Sequence, residues 1–215
     1  SRTRPDVCQI LGIEMGRSQS RLRPMLLRSC LGGLAALSVS ACIPSPEAEF
    51  WGRVSSLCGE AFEGEIVSED AADDDWRSQR IVMHVRDCSK SEIRIPLSVG
   101  EDTSRTWVLT RGKDGLALHH EHRHADGSLD AVTGYGGTSA DYSSGSRQNF
   151  PADEATKALF DEAGIPESKA NIWAVEMRPA HTLFAYELER PGRFFRLEFN
   201  TANPVTPPGV VEPSD

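Results

Sequence analysis

Residues 80–87 read RIVMHVRD, with Ile81, Met83 and Val85 on one parity and Val82, His84 and Arg86 on the other. Successive side chains of an extended chain point to opposite faces, so a period of two makes a strand with one face toward a core. The period recurs along the chain. Ile93, Ile95, Leu97 and Val99 share a parity in 92–99, where Pro96 marks an edge or a bulge. Strands are likewise expected at 61–67, 106–110, 116–124, 130–135, 171–177, 183–189 and 194–199. Turn-forming runs separate several of them: RGKDG, ADGS, RPAHT and RPG. Only two helices break the pattern. A short one over 50–58 carries Phe50, Val54 and Leu57 on one stripe; a second over 153–163 has acidic residues in its first turn and Gly164 as its stop. A mainly β fold follows, an antiparallel sheet that must curl to hide its edges. A small barrel or clam of the lipocalin type satisfies this, and a two-sheet β-sandwich is the alternative.

The N-terminal 41 residues obey a different logic. From Met25 the chain runs MLLRSCLGGLAALSVSAC: a charged start at Arg28, an apolar stretch from Leu31 to Leu37, then small residues up to Cys42. This is a signal peptide over 25–41, too short to cross a membrane as a helix, which takes about 20 apolar residues. The ending Val39-Ser40-Ala41-Cys42 resembles the bacterial lipobox. That resemblance implies lipid on Cys42 and a mature chain that starts there, and Ile43 in the next position favours the outer membrane. The expected location is the periplasmic face of the outer membrane, with the bilayer as a partner through the lipid. The Arg-rich residues 1–24 read as translation upstream of the true start. Residues 42–49 then serve as a tether, 50–200 as a single β domain, and the Pro-rich 201–215 as a solvated, disordered tail that holds no ladder.

Export changes the charge and the cysteine arithmetic. Six of the 23 basic and two of the 32 acidic side chains lie in 1–41, which leaves 17 basic and 30 acidic, a net formal charge of −13. Such a surface excludes nucleic acid as a natural partner. After Cys42 only Cys58 and Cys88 remain in the mature chain, and an even pair in an oxidising compartment reads as a disulfide. It would close a loop of about 30 residues, worth about 3 kcal/mol, and pin the first helix over one end of the sheet.

Four of the six histidines fall in LALHHEHRH, residues 116–124. On a strand Leu116, Leu118, His120, His122 and His124 share a face, and the leucines mark it as the buried one. The strand thus begins in the core and carries imidazoles toward a barrel mouth. Same-face neighbours lie about 6.7 Å apart, so two can converge on one Zn or Cu ion, with Asp130 or His84 completing the set. His120 or His122 with Asp130 also makes a possible acid–base dyad. The blandest reading is a polar inner rim satisfied by acidic partners and water. No G-x-S-x-G nucleophile turn and no phosphate loop are present. The run GGTSADYSSGS reads as a mobile or ligand-covering loop. The acidic run EDAADDD reads as a solvated one, and Trp107, Trp173 and Phe195 as core.

The segments FWGRVSSLCGEAFEG, HEHRHADGSLDAVTGYGG and NIWAVEM…FAYELERPGRFFRLEF together resemble a family of uncharacterised secreted bacterial proteins, over most of 50–200. The resemblance implies one exported domain and brings no activity or site residue with it. Three readings stand. A barrel that binds a small apolar or amphipathic ligand comes first, since barrel mouths are habitual pocket sites. A metal-binding protein or metalloenzyme using His120, His122 and His124 is second. An envelope structural or interaction protein without a pocket is third.

Overall fold

The alternating segments form strands, and the strands join in one antiparallel sheet. The structure, a computed structural model, describes residues 44–209 other than 179 and 181. The signal segment 25–41 and the lipidation position Cys42 lie outside the described residues. The strands are β1 (Ala61–Ile66), β2 (Ile81–His84), β3 (Asp87–Cys88), β4 (Glu92–Val99), β5 (Asp102–Gly112), β6 (Gly115–His122), β7 (Tyr135–Thr138), β8 (Arg147–Pro151), β9 (Ile172–Met177), β10 (Phe184–Arg190) and β11 (Arg193–Val205). Their order is β7-β6-β5-β4-β2-β1-β11-β10-β9-β8, with β3 on β4 beyond the end of β2. The two outer strands approach each other: the Ala140 amide donates to the Asn149 carbonyl at 2.8 Å and Asp153 to Gly136 at 3.1 Å. The result is a nearly closed antiparallel barrel with three short helices.

Parity sets the core. Phe62, Ile81, Met83, Ile93, Ile95, Leu97, Leu109, Leu116, Leu118, Phe184, Leu197 and Phe199 all point inward and are buried. Pro96 faces the interval between β2 and β3, where the register shifts by one residue: Met83 opposes Leu97 but Asp87 opposes Arg94. A missing N–H is tolerated at such a bulge.

Helix α1 (Pro46–Ser55) starts earlier than the apolar stripe suggests. The Ser45 side chain accepts from the Ala48 amide at 3.2 Å and Pro46 fits the first turn, so the expected tether over 42–49 is helix from Pro46 on. Phe50, Trp51, Val54 and Leu57 from this segment enter the core. Cys58, just past the helix, is bonded to Cys88 with Cα atoms 6.3 Å apart, the expected disulfide. Helix α3 (Glu154–Glu162) is capped by Asp153, whose carboxylate accepts from Thr156 at 2.8 Å.

Three expectations are corrected. The strand placed at 130–135 is β7, shifted to Tyr135–Thr138. Before it, side chains replace a ladder: Asp130 takes the Val132 amide, Thr133 takes the His122 amide, and Gly134 turns at φ 76°. The tail from 201 is not wholly solvated, because β11 runs to Val205 and pairs Pro204 with Phe62 and Val205 with Ala61. Beyond Phe199 that strand is in ladder with β1 alone, an edge position that tolerates proline. The acidic run is not a free loop: Asp70 caps a 3₁₀ turn, Ala71–Asp73, that leads into α2 (Asp74–Arg77).

Candidate functional site

Four strands grade from apolar to polar along the same direction. Inward positions read Phe184-Tyr186-Leu188-Arg190 on β10, Phe199-Leu197-Phe195-Arg193 on β11, Leu109-Trp107-Arg105 on β5 and Leu118-His120-His122 on β6. The apolar ends pack solidly. Toward the other end the side chains part around a cavity of about 410 Å³, walled by Trp107, Trp173, Tyr135, Tyr186, Phe160 and Phe195. Its volume falls in the usual range for small-molecule pockets, about 300–1,000 Å³.

His120 is the hinge of the wall. It is 4 % exposed, stacks on Tyr135 with ring centroids 4.7 Å apart, and lies 5.0 Å from Trp173. Its Nδ1 is 3.2 Å from the Tyr135 carbonyl, which only accepts, so Nδ1 carries the proton. Nε2 is then an acceptor, and the Tyr186 hydroxyl donates to it at 2.7 Å. Burial drives the imidazole pKa down to about 3, against a smaller upward pull from the Tyr135 carbonyl. His120 is therefore neutral and of fixed tautomer. Tyr186 stacks on Trp107 at 4.4 Å, and burial holds its hydroxyl well above the ordinary value.

His122 is half-buried one step nearer the mouth, its Nε2 3.0 Å from the Tyr135 hydroxyl. Burial first, then Arg105, lowers its pKa. Burial raises Tyr135 to about 12, so that hydroxyl keeps its proton.

The remaining expected ligands do not converge. His124 is past the end of β6 and exposed, with Nε2 3.8 Å from an Asp130 oxygen that is exposed as well. Asp130 therefore stands with His124 and not in a dyad with His120 or His122. His84 lies on the outer face, opposite in parity to the core residues Met83 and Val85, and lines a separate surface hollow. Among the described residues no three His, Cys, Asp or Glu side chains gather closely enough to hold a metal ion. The residues drawn from the sequence as a zinc or copper set do not gather: His120 spends both nitrogens on Tyr135 and Tyr186, His122 faces the Tyr135 hydroxyl, and His124, Asp130 and His84 stand apart from them.

The Gly- and Ser-rich run expected to be mobile or ligand-covering does not cover the cavity. The run 136–146 lies at the far end, where Ser139 donates to the Leu116 carbonyl at 2.8 Å and a Cβ on Gly145 would meet Glu49. The acidic run covers the cavity instead. Ala72, Asp73 and Trp76 form part of its wall; Arg193 holds Asp70 at 3.0 Å and pairs with Asp73; Trp76 meets Phe195 edge-on at 6.1 Å and lies under Arg105 at 4.8 Å. The signal available in the sequence was Trp76, a large aromatic closing an acidic run. No family model, curated protein or solved structure matches the chain.

Proposed function

We propose that this protein is a lipid-anchored periplasmic barrel that binds a small apolar or amphipathic molecule in the cavity at its polar end. The observation that carries the reading is the aromatic cavity of about 410 Å³ inside an otherwise well-filled barrel. Proteins pack their interiors densely, and an unfilled apolar space forfeits dispersion contacts that a ligand restores. The Tyr186 and Tyr135 hydroxyls are already paired with His120 and His122, and the wall offers a guest mainly apolar surface. Nothing in the wall has the setting of a nucleophile, and the role drawn from it is carriage or sensing rather than turnover. The signal-like segment and the lipobox-like ending at Cys42 support the address.

The test uses the protein with its disulfide intact and the neutral fluorescent probe N-phenyl-1-naphthylamine. Saturable enhancement of probe fluorescence at one site per chain is expected, with competition by decanol. Leu188→Trp places an indole in the cavity and should weaken the probe at least tenfold while the far-ultraviolet circular dichroism is unchanged. Equal binding by the wild type and this variant would show that the probe sits elsewhere and would sink the reading.

A further inference from the structure

Three arginines line the cavity, and they are not equivalent. Arg193 is neutralised by Asp70 and Asp73, and Arg105 by Asp102. Arg190 has no carboxylate partner among the described residues. Its one hydrogen bond there runs from Nη1 to the Ser168 hydroxyl at 2.6 Å, and that serine is buried. In a chain of net charge −9, where most arginines face an acid, a half-buried guanidinium held by a serine is an open valence. The aromatic wall continues directly from it: Leu188 and Tyr186 follow Arg190 inward on the same face of β10. His120 and His122, both with depressed pKa values, add no competing charge.

We infer that the ligand of the cavity is an amphipathic anion, a monocarboxylate with a compact apolar body, whose carboxylate pairs with Arg190 at the mouth while the body lies against Tyr186 and Trp107. The inference rests on the cavity being a ligand site and adds the charge and orientation of the guest. Guanidinium meets carboxylate through parallel N–H donors, and the fork of Arg190 retains Nη2 and Nε for that purpose beyond the serine.

Displacement of N-phenyl-1-naphthylamine by decanoate, decanol and decyltrimethylammonium at pH 7.5 tests it. Decanoate should compete about tenfold better than decanol, the discrimination expected of one charge-assisted hydrogen bond, and the cationic amphiphile worst. Arg190→Gln should bring decanoate down to the level of decanol and leave decanol unchanged, which also shows that the variant is folded. Equal competition by decanoate and decanol in the wild type overturns the anion inference and leaves the cavity reading standing. A preference for decanoate that survives in Arg190→Gln and disappears in Arg105→Gln overturns the assignment to Arg190. Failure of every amphiphile to displace a bound probe removes the inference together with the reading beneath it.

Discussion

His120 shows how a residue type can mislead while its position informs. Three imidazoles on one parity suggest a metal, yet buried between Tyr135, Trp173 and Tyr186 the first serves as a neutral polar brick. Its folded pKa of about 3 lies below the ordinary 6.5, so between those values the unfolded chain binds a proton that the folded chain refuses. Stability is full above pH 6.5 and is lost as the pH falls toward 3. By pH 5 the expected loss from this group is about 2 kcal/mol, before ordinary carboxylates begin to titrate. Urea denaturation at pH 7.5 and 5.0 should show it, and His120→Phe should flatten the slope to whatever His122 contributes. Tyr186→Phe leaves Nε2 a buried acceptor without a donor and should cost about 1–3 kcal/mol at pH 7.5, measured the same way. The inward parity of His120 and His122 was legible, because it needs only the leucines two and four residues before. Their partners were not: Tyr186 stands 66 residues from His120, and no local pattern announces that pairing.

At the scale of elements the barrel closes through glycine. A Cβ on Gly136 would stand 1.8 Å from the Leu118 carbonyl oxygen, and one on Gly137 would stand 1.8 Å from that of Pro151. These are backbone atoms with no side chain to swing away. Gly137→Ala should therefore part β7 from β8 and destabilise by about 2 kcal/mol or more, with faster amide exchange at Ala140 and Asp153. The disulfide acts at the opposite end of the same problem. Replacing Cys58 and Cys88 by serine frees a loop of 30 residues, and chemical denaturation should register a loss of about 3 kcal/mol. Most strands could be read from alternation, since 80–87, 92–99, 116–124 and 183–189 each carry one apolar parity. The failures have a common cause. Around 130–134, 201–205 and 70–77 the backbone is satisfied by side chains or by a distant edge, and neither leaves a period in the sequence.

For the whole molecule the outer face is as organised as the inner one. Glu187, 6 % exposed, is held by Arg147 and Arg196; burial raises its pKa, but the hydrogen bonds from the two guanidiniums outweigh it and keep the carboxylate ionised. The net charge and the paired surface acids suit a protein in aqueous surroundings. Attachment is a separate matter and belongs to Cys42 on the proposal made above. Cys42→Ala in the full chain expressed in a double-membraned bacterium should move the protein from the membrane fraction to the periplasmic fraction, and an unchanged distribution would contradict lipid anchoring. Alternation and turn spacing made a curled antiparallel sheet legible, while barrel and sandwich stayed open until the approach of β7 to β8 decided between them. The cavity was not legible, since its volume depends on how far seven aromatic rings from five strands and two helices fail to meet.

Helix α1 and the Cys58–Cys88 bond sit at the filled end: Cys88 opposes Ile93 at the start of β4, while Arg105, His122 and Arg190 mark the other end. Three residues separate Cys42 from Pro46, so a lipid on Cys42 lies within about 14 Å of chain from the first turn of that helix. On the lipid anchoring proposed above, so short a leash would moor the barrel by its floor. The doorway would then look out into the periplasm, and a guest would be exchanged with the water there instead of being drawn sideways out of the leaflet that held the anchor.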